Sequence, residues 1–138
     1  MQSTVEKNKT AVQRFNKEFI EQGNMNSFKE LVSDKVINHA APEGSSSGPE
    51  SMTHFLGILR HGFPDINVKI LDQIAEGDKV TSRKELHGTH SGEFMGVPAS
   101  GKKVVIRVID IIRLENGKYM EHWGMSNLSD VMKQISSK

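Results

Sequence analysis

Cysteine is absent from the 138-residue chain, which excludes disulfide scaffolds and thiolate metal sites and fits a reducing compartment. Long apolar runs are absent too, since none approaches the roughly 20 residues that a membrane-spanning helix needs. The opening stretch MQSTVEKNKT has no apolar segment of the secretory kind. Neither sign of charge dominates. Lys and Arg number 18 against 17 Asp and Glu, a formal net charge of +1, and no basic stripe marks a nucleic-acid surface. What is there is an ordinary globular composition, 36% hydrophobic and 25% charged. The expectation is a cytoplasmic protein with neither membrane nor nucleic acid as partner. No internal repeat and no domain boundary is visible, so residues 1–138 are expected to form one domain large enough to bury a real core.

The first half reads as helices. STVE at Ser3 to Glu6 has the form of a capping box, and Val5, Val12, Phe15 and Phe19 then recur at helical spacing. That predicts an amphipathic helix over 4–22, ended by Gly23-Asn24. Phe28, Leu31 and Val32 mark a short second helix, and KVINHAAPEG a brief extended piece ending at Pro42. GSSSG reads as a mobile loop. Pro49 suits the first turn of a third helix, whose buried stripe is Met52, Phe55, Leu56, Leu59 and Phe63. Beyond Pro64 the pattern changes to strands over 66–74, 80–90, 103–114 and 119–125. AEGDK and ENGK make turns, and SGEFMGVPASGK is a glycine-rich loop. Asn127 can cap a final helix with Leu128, Val131, Met132 and Ile135 on one face. Helices followed by consecutive antiparallel strands predict an α+β fold in which helices cover one face of a curved sheet. Such an arrangement can enclose a cone-shaped cavity suited to a small apolar ligand.

The strongest strand, KVVIRVIDIIRL, carries an acid in its middle. Side chains alternate along a strand, so Ile106, Val108, Asp110 and Ile112 share one face, while Val105, Ile109 and Ile111 share the other with Arg107 and Arg113. Both faces are largely apolar, which predicts cover on both sides, by helices on one and by a partner subunit on the other. The residue opposite Asp110 depends on the turn. A two-residue Asn116-Gly117 loop pairs Leu114 with Tyr119 and sets Asp110 against Trp123. A three-residue loop from Glu115 to Gly117 pairs Leu114 with Lys118 and sets Asp110 against His122. A one-residue slip exchanges the inner and outer faces, and both turns accept Asn-Gly.

The runs GTHSGEFMGVPASGKKV, IDIIRLENGKYMEHWG and HGFPDINV resemble the SnoaL-like polyketide cyclase (ester cyclase-like) family, over about residues 6–132. The resemblance implies the fold shared with ketosteroid isomerases and nuclear transport factor 2. That fold is a cone-shaped barrel of a curved, mainly antiparallel sheet wrapped around N-terminal helices. It implies that Asp110 looks inward and favours His122 as its neighbour. Cyclases of this kind use acid–base catalysis without a cofactor, removing a proton next to a carbonyl or ester and closing a ring by aldol addition. Their key aspartate follows the histidine matching His122 by two residues, a position held here by Gly124. They also carry a polar pair at the positions matching Val108 and Asp110, of which only Asp110 is ionisable.

Asp110 and His122 are therefore the candidate catalytic pair. A carboxyl in an apolar cavity has its pKa raised towards the range useful for proton transfer, and a charged imidazole pulls it down again. His39, in INHAAP, is a candidate contact for a substrate oxygen, with Asn38 the weaker neighbour. Ile106, Val108, Ile112, Phe15, Phe19, Phe55 and Leu59 are the expected walls of a site for a small apolar carbonyl or ester compound. Trp123 is expected on the opposite face, at a homodimer interface formed through the sheet. No metal site is expected: His87 and His90 are three apart on a strand and face opposite sides, and His54 and His61 lie outside the apolar stripe of their helix. No cofactor is implied, and the glycines surround no phosphate cradle. With Gly124 in the aspartate position, the alternative is a small-molecule-binding or dimerisation module without catalysis.

Overall fold

A computed structural model of the chain describes residues 3–137. Helix α1 (Thr4–Arg14) starts where the capping signal lies, with the Ser3 hydroxyl accepting from the Glu6 N–H at 3.2 Å. The chain continues helically as expected, but from Phe15 to Glu21 it widens into a π-helical turn. Asn16 sits at the change and donates its side-chain amide to the Val12 carbonyl at 2.8 Å. Such turns put one residue out of helical step and are frequent at functional sites. Asn24 caps α2 (Met25–Leu31), and Val32, expected in that helix, instead opens strand β1 (Val32–Asn38). Its β-branched side chain suits a strand. Helix α3 (Pro49–Gly62) has its proline in the first turn. Leu56, Leu59 and Phe63 are buried from it as expected, but Phe55 is 43% exposed. Phe55 lies at the edge of the stripe that runs through positions 52, 56, 59 and 63, so the helix turns it to the surface.

Strands β2 (Asn67–Glu76), β3 (Lys79–Thr89), β4 (Lys103–Glu115) and β5 (Lys118–Ser126) precede α4 (Leu128–Ser136). They form one curved, unclosed sheet in the order β1-β5-β4-β3-β2, antiparallel except where β1 runs parallel to β5. Alternation decides which face is covered. Val80, Ser82, Lys84 and Leu86 of β3 are buried, as are Val104, Ile106, Asp110, Ile112 and Leu114 of β4. They pack against Phe15, Phe19, Phe28 and Leu59 of the helices. The other face leaves Ile74, Ile109, Ile111 and Met125 exposed.

The β4–β5 pairing follows neither of the two turn-based registers. Asn116 and Gly117 have φ of +52° and +76°, as a two-residue type I′ loop requires, and Leu114 pairs with Tyr119 accordingly. The ladder then shifts by one, and Arg113 pairs with Glu121, leaving Met120 as the extra residue of a β-bulge. Beyond the bulge Asp110 faces Gly124, and Ile112 faces His122. Neither His122 nor Trp123 is thus directly opposite Asp110, because both expectations assumed an unbroken ladder. The bulge nevertheless leaves His122 on the inner face, as the diagonal neighbour of Asp110, and turns Trp123 outward.

Candidate functional site

Three strands and the π-helical turn converge on Asp110. The row across the sheet at its level is Ser82, Asp110 and Gly124, from β3, β4 and β5. One step along, Lys84 of β3 and His122 of β5 close in on the same carboxyl oxygen. Lys84 Nζ lies 3.0 Å from Asp110 Oδ2, and His122 Nε2 lies 3.6 Å from it. Asp110 and Lys84 are each 4% exposed. Lys84 also donates to Asn16 Oδ1 at 2.7 Å, so the π-helical turn holds the ammonium from the helix side. The other carboxyl oxygen, Asp110 Oδ1, is buried without a hydrogen-bond partner. Natural structures seldom leave such an atom unpaired, and where they do, catalysis is one of the usual reasons.

The imidazole is oriented by β1. His122 Nδ1 lies 2.8 Å from Asn38 Oδ1, which also accepts from the Ala40 N–H at 3.1 Å. The same Asn38 amide donates through Nδ2 to Ser51 Oγ at 3.1 Å, which fixes its oxygen towards the ring. His122 Nδ1 is therefore the donor of that pair. Its Nε2 faces Asp110 as an acceptor when the ring is neutral and as a donor when it is protonated.

Burial pushes the Asp110 carboxyl up, but the Lys84 ammonium, and after it the neighbouring His122 imidazole, outweigh burial. The carboxyl is held below the ordinary aspartate range. An apolar pocket would have raised it; the buried cation, which no sequence signal had been read for, reverses the sign. Tyr119, fully buried below the site, has its phenol pushed well above the ordinary range by burial and by the Asp110 charge.

Gly124 has a steric part in this geometry. A Cβ at that position would lie 3.3 Å from His122 Cε1 and Nε2 and 3.5 Å from Asp110 Cβ. A side chain opposite Asp110 would therefore crowd the ring, and glycine is what lets the imidazole lean over the carboxylate. A carboxylate held ionised, with one free oxygen and an imidazole beside it, can receive a proton and pass it on.

Of the expected wall residues, Phe15, Phe19, Leu59, Ile106 and Ile112 lie in the packed core, and Val108 is half-buried beside Asp110. Phe55 is at the surface and His39 is not brought to the cluster. Successive residues at the end of β1 point to opposite sides, so Asn38 reaches His122 while His39 goes outward. There its Nε2 lies 2.9 Å from the Glu121 carboxylate, and its ring stacks on Trp123 at 4.7 Å and 5°. Lys84 and Asn16 were missed. Lys84 had a signal: in VTSRKELHG it shares alternation parity with Val80 and Leu86, so a buried strand face had to carry it inward. Two open surface grooves, beside Lys7 and Asn116 and beside His54 and Met95, do not include Asp110. Among the described residues no helix is long and apolar enough to cross a membrane.

A family model for SnoaL-like polyketide cyclases matches residues 10–135. Aklanonic acid methyl ester cyclase DnrD of Streptomyces peucetius is 25% identical over 103 residues, which cover 72% of this chain and 71% of the relative. A Jannaschia sp. CCS1 protein assigned as a SnoaL-like polyketide cyclase superposes with a TM-score of 0.86 at 27% identity, covering 100% of this chain and 97% of that one. A Bacillus cereus ATCC 10987 protein assigned as a polyketide cyclase gives 0.81 at 28% identity, over 94% of this chain and 80% of the other.

Proposed function

The chain belongs to the SnoaL-like polyketide cyclase family, and from that premise we propose that it performs cofactor-free acid–base chemistry on a small apolar carbonyl or ester compound. Asp110 is the proton-transferring carboxylate and His122 its partner. Aldol ring closure or isomerisation is the type of reaction such a pair serves. The observation that carries this reading is the unpartnered Asp110 Oδ1, buried beside an imidazole whose tautomer is set by Asn38. In the step, Oδ1 takes a proton from the carbon next to the carbonyl. The C–H electron pair becomes the C=C bond of an enolate, and the carbonyl π pair moves onto oxygen. Oδ1 then returns the proton to a carbon or to the oxygen of the enolate, while His122 beside Oδ2 supports the charge of the carboxylate. Val108, half-buried on the same strand face, is the least covered of the expected wall residues of β4.

The test is deuterium exchange at the α-carbon of an aryl methyl ketone such as acetophenone, followed by proton NMR in heavy water. Exchange above the buffer rate is expected for the parent chain and a fall of about 100-fold or more for Asp110→Asn, the usual size of a general-base contribution. Equal rates in both proteins sink the proposal.

A second reading is favoured by one observation. The Lys84 ammonium already neutralises the carboxylate, and both groups are only 4% exposed in a closely packed core. A binding or dimerisation module without turnover would look like this, and it would bind the ketone without exchanging its protons. Under either reading we place the protein in the cytoplasm as a homodimer joined through the outer sheet face, a proposal supported by the exposed Ile109, Ile111 and Met125.

A further inference from the structure

The buried cation is the feature that the proposed chemistry does not by itself call for. Lys84 comes from β3, two residues from Ser82, which pairs with Asp110 across the ladder. It makes two contacts at once, to Asp110 Oδ2 at 3.0 Å and to Asn16 Oδ1 at 2.7 Å. The Asn16 amide is itself tied to the Val12 carbonyl at 2.8 Å, at the residue where α1 gives way to the π-helical turn. The result is a chain of fixed polar groups, Val12 carbonyl to Asn16 to Lys84 to Asp110, that ends on one carboxyl oxygen and leaves the other bare.

We propose that Lys84 is the positioning residue of this site: tethered by Asn16, it engages Asp110 Oδ2 and so keeps Asp110 an anion whose Oδ1 is aimed and free to accept. The inference rests on the reading of Asp110 as the proton acceptor. It also replaces the usual way of tuning such a group. A carboxyl raised by burial is a strong base but is half-protonated near neutrality, and its rotamer is set only by packing. Here the ammonium holds one oxygen by a charge-assisted hydrogen bond, which fixes the torsion of the carboxyl as well as its charge. His122, on the far side, supports the charge of the same oxygen. The charged or titratable groups facing Asp110 are Lys84 from β3 and His122 and Tyr119 from β5; α1 and its π-helical turn contribute the neutral Asn16.

The experiment is a carbon-13 NMR titration of the Asp110 side-chain carboxyl in the full chain, compared among the parent, Lys84→Met and Asn16→Ala. In the parent the carboxyl is expected to stay ionised to below the ordinary aspartate range. In Lys84→Met its midpoint rises by about one pH unit or more, the usual effect of an adjacent cation. Asn16→Ala, which keeps the charge and loosens the tether, gives a smaller rise. The acid limb of ketone exchange should move with the titration, which a merely structural lysine would not cause. An Asp110 midpoint unchanged in folded Lys84→Met overturns the proposal. Should Lys84→Met not fold, the double variant Lys84→Met/Asp110→Asn decides. A folded double variant supports the pairing, since the neutral pair needs no cation, and an unfolded one overturns it by making Lys84 a scaffold residue independent of Asp110. The titration needs no substrate, so a positive result alongside absent exchange would defeat the proposed function and leave the positioning role intact.

Discussion

Strand β4 carries an ion pair on each face, and the two faces handle charge in opposite ways. On the inner face Asp110 meets Lys84 at 3.0 Å with both groups out of water. On the outer face Arg113 donates to Glu121 at 2.6 Å and to Glu115 at 2.9 Å, and His39 completes the set from the turn after β1. Glu121 is pulled below the ordinary glutamate range by Arg113 and then by His39, in a setting where water shares the load. The outer cluster has spare partners and solvent behind every member. The inner pair has only Asn16 behind Lys84 and His122 beside Asp110, with no solvent and a bare oxygen. The shorter contacts are the outer ones, yet the inner pair has more to lose, because desolvation and not geometry sets what is lost when a member is removed.

The largest expected effect comes from breaking the inner pair. Asp110→Ala leaves the Lys84 ammonium buried and uncompensated, and urea unfolding at neutral pH should register a loss of about 3–5 kcal/mol. The sign of the pH dependence is fixed. The folded carboxyl titrates below the unfolded one, so its contribution is complete above the unfolded aspartate range and disappears as pH falls through the folded midpoint. The gap between parent and variant should therefore close on acidification below the ordinary aspartate range. A gap that stays constant across that window would show that the carboxylate is not what Lys84 responds to.

The next effect tests the glycine. Gly124→Asp restores the residue that the resemblance to cyclases leads one to expect, but it does so directly across from an existing carboxylate. The new Cβ crowds the His122 ring at 3.3 Å, and its carboxyl faces Asp110. Overpacking of this kind costs about 1–3 kcal/mol. The like charge raises the midpoint of one carboxyl in the folded state, so the penalty is expected to be largest at neutral pH and to shrink as pH falls. Both gaps shrink on acidification, but this one does so above the ordinary aspartate range and the Asp110→Ala gap below it, so thermal unfolding at pH values on either side of that range distinguishes them. A variant as stable as the parent at neutral pH would mean that the two strands part more easily at this level than the ladder suggests.

These two positions also mark how far the sequence could be read. The element order, the capped first helix and the strands follow from periodicity and turn chemistry, which act within a few residues, whereas the inward face of β4 is implied by the family resemblance, since both faces are largely apolar. The neighbour of Asp110 follows from neither, because the bulge at Met120 has no composition signal of its own and one extra residue re-pairs everything beyond it. His39 and Asn38 show the same limit. Both are polar and adjacent at the end of β1, and only the direction of the strand decides that Asn38 turns to His122 while His39 turns to Trp123. Lys84 was legible by alternation, yet a lysine in a strand is so commonly a solvated residue that parity alone did not single it out. Asn16 had a comparable signal, standing at the i+4 step from Val12 on the buried stripe of the first helix, but its partner on β3 is 68 residues away and no local pattern names it.

The smallest effect on folding belongs to the outer face, and there the comparison is sharpest. Ile109 is 54% exposed and sits between Arg83 on β3 and Met125 on β5, itself 83% exposed. Ile111 and Trp123 continue the apolar surface one step along. Ile109 is more than half uncovered among the described residues, so Ile109→Lys should alter monomer stability by no more than about 0.5 kcal/mol. Association through this face is another matter. A lysine at the centre of a self-complementary sheet surface meets its own copy, and like charge with lost apolar area should drive the dimer apart. Sedimentation velocity is expected to record a dimer for the parent and a monomer for the variant, with unfolding midpoints extrapolated to low concentration nearly equal. A parent that sediments as a monomer at every concentration would leave the outer face an exposed apolar surface without a second copy. The contrast between the two sides of β4 would then be one of solvent against core, with no subunit interface in it.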